Sequence, residues 1–347
     1  MRNLSATGAV LLLALGTAAC AATSAADAPP APTAIAEAKI ERWDPAMDAI
    51  VPKDWKIEKL AEGFGWAEGP VWVKSGGYLL FTDVPGNKMW KWSAAGGLEK
   101  FLDPSGAASV DEAVWREAGA NGLAILDAHH ILLADTGNRA IQKLDLRTKR
   151  KTPVATLFDG RKFSSPNDVV KMKSGVIFFS DPPYGFRKFD DAPEKEQPFN
   201  GVYRVATDGS VTVIEKELHR PNGVALSPDE RTLYVAQSEP TKAIIMAYSL
   251  DAAGNVTGKR LFHDTTDLVS KDAPGLPDGL AVAADGTIFT TAPGGVLVLS
   301  KDGKRLGRIG NGKPTANCKF GDDGRTLYLT SQNILARIRL DIKGAGF

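Results

Sequence analysis

The stretch Pro221-Asn222-Gly223-Val224-Ala225-Leu226 carries a pattern that recurs six times in the chain. In each copy an oxygen-bearing residue, usually Asn or Asp and usually followed by Gly, stands just ahead of an apolar run. The six lead residues are Glu68, Asn121, Asn167, Asn222, Asp278 and Asn317, at spacings of 53, 46, 55, 56 and 39 residues. A recurring period of this size indicates a repeat architecture.

A second apolar strand supports the same register. It ends 14 or 15 residues after each lead residue in a polar or small residue, as in Leu80-Phe81-Thr82-Asp83 and Leu132-Leu133-Ala134-Asp135. Turn residues such as Asp285-Gly286 separate the two strands, which is typical of hairpins. Each repeat has room for about four strands, the content of a propeller blade. The sequence therefore predicts an all-β, six-bladed β-propeller.

Composition agrees with this fold and excludes several functions. The chain has 347 residues, of which 43% are hydrophobic, with 35 Gly and 21 Pro, as expected for a turn-rich β protein. Its net charge of +1 implies no general attraction to nucleic acid. No Gly-x-Ser-x-Gly elbow and no phosphate-binding Gly-x-x-x-x-Gly-Lys loop occurs, and the four His lack the spacing of a helical zinc site. We expect Cys318 to be a buried, inert thiol.

The N-terminus resembles a bacterial lipoprotein signal. Ala9 to Ala18 is apolar but too short to span a membrane, and small residues precede Cys20. We therefore expect a signal peptide over residues 1–19, lipidation of Cys20 and a disordered tether over residues 20–50. The catalytic domain would occupy residues 51–347. The protein would be periplasmic and touch the membrane only through its lipid anchor, with simple cleavage to a soluble product as the alternative.

Propeller geometry makes the lead residues meaningful, because the first strand of every blade lines the central channel. The lead residues of the first five repeats should therefore converge at one end of that channel. Carboxylate and Asn side-chain oxygens are hard ligands, suited to Ca²⁺, Mg²⁺ or Mn²⁺. Asn317, followed by Cys318, is expected to be structural.

These phrases also resemble a known family, the gluconolactonase, senescence-marker protein (regucalcin) and luciferin-regenerating enzyme family. The resemblance covers about residues 55 to 340, and the run from Phe179 to Gly185 is similar to the bacterial gluconolactonase branch. The phrases that carry it are Trp66-Ala67-Glu68-Gly69-Pro70-Val71-Trp72, Ser165-Pro166-Asn167-Asp168, Pro221-Asn222-Gly223-Val224 and Pro277-Asp278-Gly279-Leu280.

The resemblance implies a six-bladed propeller with one catalytic divalent metal, often Ca²⁺ or Zn²⁺. It places the metal ligands at Glu68, Asn222 and Asp278, and makes Asp278 the proton acceptor and donor. Asn167 would contact metal or substrate, and Asn121 is a further candidate for substrate contact. Animal members carry a substrate-binding Arg where this chain has Ser165, so the chain departs at this position from their mode of sugar-acid recognition.

The predicted function is metal-dependent opening of a small lactone by a monomer, with Ca²⁺ expected first and Zn²⁺, Mg²⁺ or Mn²⁺ open. The alternatives are an arylesterase or phosphotriesterase-like propeller hydrolase and a non-catalytic interaction propeller of the cell envelope. The long segment 183–200 is interpreted as a lid, from which Arg187 would contact the substrate. Residues 110–119 form a second possible loop at the channel mouth.

Overall fold

The fold is a ring of six antiparallel sheets, seen in a computed structural model that describes residues 29–347. Blade 1 comprises Ala67–Val73, Tyr78–Asp83, Lys88–Ser93 and Gly97–Leu102. Blade 2 comprises Ala120–Ile125, His130–Asp135, Ala140–Asp145 and Lys151–Ala155. Blade 3 comprises Val169–Lys171, Ile177–Asp181, Gly201–Val205 and Val211–Glu215. The predicted six-bladed propeller is confirmed.

The remaining blades follow the same plan, and two of them recruit N-terminal strands. Blade 4 comprises Pro221–Leu226, Thr232–Glu239, Lys242–Leu250 and Val256–Asp264. Blade 5 comprises Leu280–Val282, Ile288–Ala292, Gly295–Leu299 and Arg305–Gly310, with Lys39–Arg42 at its outer edge. Blade 6 comprises Asn317–Gly321, Thr326–Ser331, Ile334–Arg339, Ile57–Glu62 and Thr33–Ala34. The ring therefore closes by pairing an N-terminal strand with the last C-terminal strand.

Short elements complete the described chain. They are the hairpin Leu157–Phe158 with Arg161–Lys162 and the 3-10 turns Pro45–Ala49, Phe189–Asp191 and Thr266–Leu268. No helix within residues 29–347 is long and apolar enough to cross a membrane.

The core lies between blades, because both faces of each sheet are covered. In the strand Tyr78–Asp83, Leu79 and Phe81 pack toward blade 6, while Leu80 packs toward blade 2. This alternation follows from the period of two along a strand, and it explains why the inner strands are apolar on both faces. The first strand of each blade contacts the first strands of the two neighbouring blades, so these six strands line the channel.

The expected disordered tether is wrong for the part of it that the structure describes. Lys39–Arg42 pairs with Arg305–Gly310, and Met47, Ile50 and Val51 are buried against blades 5 and 6. The Ala- and Pro-rich composition of this segment suggests disorder, but its few large apolar residues are enough to pack against the hydrophobic surface of blades 5 and 6. The predicted signal peptide and Cys20 lie outside the described residues, so export and lipidation stay predictions.

Candidate active site

Five predicted residues line one cavity at the end of the channel where the first strands begin. The cavity has a volume of about 660 Å³, and its walls include Glu68, Asn121, Asn167, Asn222 and Asp278. They come from blades 1 to 5 and are brought together because every first strand starts at the same end of the ring. The sixth lead residue, Asn317, does not line the cavity. Its amide donates to Glu68 Oε2 at 3.3 Å and its Oδ1 accepts from the Cys318 N–H at 2.9 Å.

The glycine after a lead residue allows the next blade to approach closely. A Cβ on Gly69 would lie 2.1 Å from the Asn121 carbonyl oxygen, and one on Gly223 would lie 2.0 Å from that of Asp278. A β-bulge interrupts the pairing at both glycines, between Glu68 and Val71 and between Pro221 and Val224. Bulges of this kind re-aim side chains beside functional sites. The Asn-Gly and Asp-Gly phrases thus serve inter-blade packing.

The polar end of the second strand holds the chain that leads into the site. Asp83 Oδ1 accepts from the Gly65 and Trp66 amides at 3.0 Å each, just before Glu68. Asp181 accepts from the Ser164 and Ser165 amides at 2.7 Å each, just before Asn167. In blades 1 and 3 the Asp at the end of the second strand therefore positions the lead residue.

Acidic groups accumulate at the cavity. Burial raises the pKa of Glu68 to about 8, with the nearby Asp168 carboxyl adding to the effect. Burial also raises the pKa of Asp278 well above its usual range, and Glu68, Asp168 and Glu117 reinforce the shift. Buried carboxyl groups without matching positive charge are costly unless they are protonated or bind a cation.

The amide oxygens of the site fit a hard cation. Asn222 Oδ1 and Asn121 Oδ1 are buried and accept no hydrogen bond from the described residues. The Asn222 amide nitrogen donates to Ser238 Oγ at 2.8 Å, and that hydroxyl donates to the Pro277 carbonyl at 2.6 Å, so Oδ1 is the free end. Residues 29–347 contain no cluster of three or more His, Cys, Asp or Glu able to hold a metal. A site here would therefore combine two carboxylates with Asn carbonyls, a hard-oxygen set.

Arg187 does not line the cavity, so its predicted substrate contact is not supported. Its side chain is exposed and its Nε donates to the Glu112 carbonyl. The guanidinium that lines the cavity belongs to Arg116, beside Glu117. The sequence predicts both loops at the channel mouth but does not distinguish Arg116, because the path of an irregular loop depends on distant partners.

Both predicted mouth loops reach the cavity. Tyr184 and Phe189 of segment 183–200 line it, as do Arg116 and Glu117 of segment 110–119. Whether segment 183–200 moves as a lid stays a prediction.

Two other features lack the chemistry of this cavity. A second cavity, of about 670 Å³, includes the far ends of several first strands and is lined by Lys74, Lys171 and Lys319 together with apolar side chains. Cys318 is fully buried, and burial raises the pKa of its thiol to about 12. An apolar surrounding of this kind makes a thiol inert.

Comparison with known proteins shows similarity to one family, both in sequence and in structure. The family model described as SMP-30/gluconolactonase/LRE-like region matches residues 66–333. A gluconolactonase of Zymomonas mobilis is 42% identical over 305 residues, which cover 87% of this chain and 86% of that protein. The structure of a gluconolactonase from Xanthomonas campestris superposes with a TM-score of 0.76 at 27% identity, covering 90% of this chain and 98% of that one. A calcium-binding regucalcin structure from Agrobacterium tumefaciens shares the fold, with a TM-score of 0.64 at 20% identity over 83% of this chain and 94% of that one.

Proposed function

The chain belongs to the SMP-30/gluconolactonase/LRE-like family and is a lactonase, and from this premise we propose that it opens a small lactone ring with one divalent cation held in the cavity. The observation that carries the proposal is the convergence of Glu68, Asn222 and Asp278 on one cavity, where two Asn side-chain carbonyls have no hydrogen-bond partner among residues 29–347. The non-catalytic alternative is not retained, since lactonase relatives match almost the whole domain.

Glu68, Asn222 and Asp278 would hold the cation, with Asn167 or Asn121 completing the oxygen set. When bound, such an ion supplies Lewis-acid chemistry, polarising a lactone carbonyl and making water at the site more acidic. Ca²⁺ is the ion we propose first, because the donors are all hard oxygens and a related regucalcin is described as calcium-binding.

Asp278 would carry the proton transfers. Its carboxylate accepts no hydrogen bond from the described residues and faces the same cavity as the Asn side chains. It would take a proton from the attacking water and return it to the leaving ring oxygen, as a general base and then a general acid. The Nδ2 groups of Asn121 and Asn167 would donate to the developing oxyanion. This route needs no covalent intermediate, in agreement with the inert Cys318.

The first test removes these carboxylates one at a time. Asp278→Asn should lower kcat for lactone hydrolysis by about 100-fold or more, since a positioned acid–base group contributes at least that much. Glu68→Gln should also lower activity strongly, because it removes one of the two carboxylates proposed to hold the cation. Asp272→Asn, an exposed Asp six residues before Asp278, is the matched control and should keep full activity. The readout is acid release in a pH-stat, with a melting curve to confirm folding. Full activity in either cavity variant would contradict the proposal.

The second test concerns the metal and the substrate class. Chelator-treated enzyme should be inactive and should recover with Ca²⁺, and parallel additions of Mg²⁺, Mn²⁺ and Zn²⁺ would rank the ions. A panel of sugar lactones and aryl esters separates the lactonase from the arylesterase alternative. Activity that survives complete metal removal would refute the role of the cation.

A further inference from the structure

Two loops at the cavity mouth are joined into one wall. They are residues 103–119, between blades 1 and 2, and residues 182–200, within blade 3. The Arg116 amide donates to the Gly185 carbonyl at 2.8 Å, and the Arg187 amide donates to the Val114 carbonyl at 2.8 Å. The rings of Trp115 and Phe186 pack at 4.9 Å between centroids, and Phe186 is fully buried. The mouth wall, as we call these two loops, is therefore a packed structure.

The mouth wall also packs directly against the residues of blades 2 and 3 that lie below it. Gly185 donates its amide to Ser165 Oγ at 3.0 Å. A Cβ at Gly185 would lie 2.7 Å from the Ser165 Cβ, 2.8 Å from Thr136 Cγ2 and 2.9 Å from Trp115 Cζ3. This close approach fixes the position of Arg116 relative to the blades, because the Arg116 amide is bonded to the Gly185 carbonyl.

The mouth wall presents a donor and an acceptor side by side. Arg116 Nη2 donates to Glu117 Oε1, and both side chains line the cavity. The guanidinium also lies 5.1 Å from the Phe189 ring centroid and 5.9 Å from that of Tyr184. Its bond to Glu117 uses one of five N–H donors. The Arg116 side chain is 41% exposed and that of Glu117 11%, so both keep polar atoms open to the cavity, Arg116 more of them than Glu117.

The charge of this pair restricts what it can recognise. A free guanidinium suits a carboxylate, but Arg116 is already neutralised by Glu117. An adjacent donor and acceptor instead match hydroxyl groups, each of which both donates and accepts. The aromatic side chains of Trp66, Tyr184 and Phe189 line the same cavity and offer apolar faces to ring C–H groups.

We propose that Arg116 and Glu117 recognise the hydroxyl groups of a neutral, polyhydroxylated lactone, Arg116 by donating and Glu117 by accepting. This inference rests on the proposed lactonase function and names the residues that select among lactones. Glu117 should also repel a lactone that carries a carboxylate.

The test compares three lactones of equal ring size: one polyhydroxylated and neutral, one without hydroxyl groups, and one bearing a carboxylate. Arg116→Ala should raise KM for the polyhydroxylated lactone by about 10- to 100-fold, the usual cost of losing a charge-assisted hydrogen bond, with kcat and the unsubstituted lactone little affected. Glu117→Gln should lower KM for the carboxylated lactone. Arg187→Ala is the matched control, because it removes an Arg of the same mouth wall that lies outside the cavity.

Each outcome is decisive. Arg116→Lys, which keeps the charge but loses the planar fork, should fall between wild type and Arg116→Ala, and a melting curve shows whether each variant folds. An equal loss on the hydroxylated and unsubstituted lactones, or no loss on either, would overturn the inference while leaving the lactonase function intact. Wild-type enzyme that turns over none of the three would overturn the proposed function and this inference with it.

Discussion

Ser238 decides which end of the Asn222 amide faces the cavity. Its hydroxyl donates to the Pro277 carbonyl, so it can only accept from Asn222 Nδ2, and this leaves Oδ1 free. A partner that orients a ligand in this way is usually needed for full metal affinity. Ser238 belongs to the second strand of blade 4, where the sequence pattern marks only a strand.

Ser238→Ala should weaken divalent-cation affinity, and activity at limiting cation, by about 10- to 100-fold, because the Asn222 amide would be free to turn over. Titration calorimetry of metal-stripped protein measures the affinity directly. Ser249→Ala, the same change at an exposed position of blade 4, should have no effect. Equal affinities in Ser238→Ala and wild type would show that Asn222 needs no such orientation.

Cys318 should not react with thiol reagents while the protein is folded. Burial raises the pKa of its thiol to about 12, and only the thiolate reacts with thiol reagents. Because the folded protein keeps this thiol protonated far above neutral pH, a chromogenic disulfide should not label it until the chain unfolds. The measurement uses a Cys20→Ala background, with and without denaturant. Rapid labelling of the folded protein at neutral pH would contradict the buried position.

Between strands, the site depends on contacts from one blade to the next. Gly223→Ala would place a Cβ 2.0 Å from the Asp278 carbonyl oxygen, a backbone atom that cannot move without displacing Asp278. We expect a loss of stability of about 1–3 kcal/mol, as for overpacking elsewhere. Activity should fall by more than the fraction of unfolded protein explains, because Asp278 is displaced. Gly258→Ala, in the outer strand of blade 4, meets its nearest atom only at 4.0 Å and is the control. Wild-type kinetics in Gly223→Ala would mean that the blades separate freely.

Local patterns predict the strands and the ring of lead residues for a physical reason. The alternation in Tyr78–Asp83 is set by neighbouring residues, and a repeated fold places equivalent residues at one end. The choice between Arg116 and Arg187 could not be made in this way. It depends on the pairing of Trp115 with Phe186, about 70 residues apart, in loops that have no periodicity.

At the scale of the whole molecule, the N-terminal segment is part of the ring. Ile57–Glu62 pairs with Ile334–Arg339, and the buried Met47 and Ile50 lie against the hydrophobic cluster between blades 5 and 6. Without Ile57–Glu62, the strand Ile334–Arg339 would become an open edge, which favours aggregation. The composition of residues 20–50 predicted a tether because it records which residues are present, whereas burial depends on what surface they can reach.

Two N-terminal deletions, compared with a chain that begins at Pro29, separate these contributions. A chain that begins at Val51 loses two edge strands together with Met47 and Ile50, and should unfold with about 2–5 kcal/mol less stability, the cost of emptying such a core position. A chain that begins at Gly63 also loses the closing strand, and should aggregate or fail to give a cooperative melt. Thermal unfolding and size-exclusion chromatography distinguish the three chains. Met47→Ala, which empties a fully buried position, should lower stability in the same assay, and Lys53→Ala, at an exposed position six residues later, is its control. If the chain that begins at Val51 melted like the reference, residues 29–50 would be dispensable to the fold, and their role as a tether would be restored.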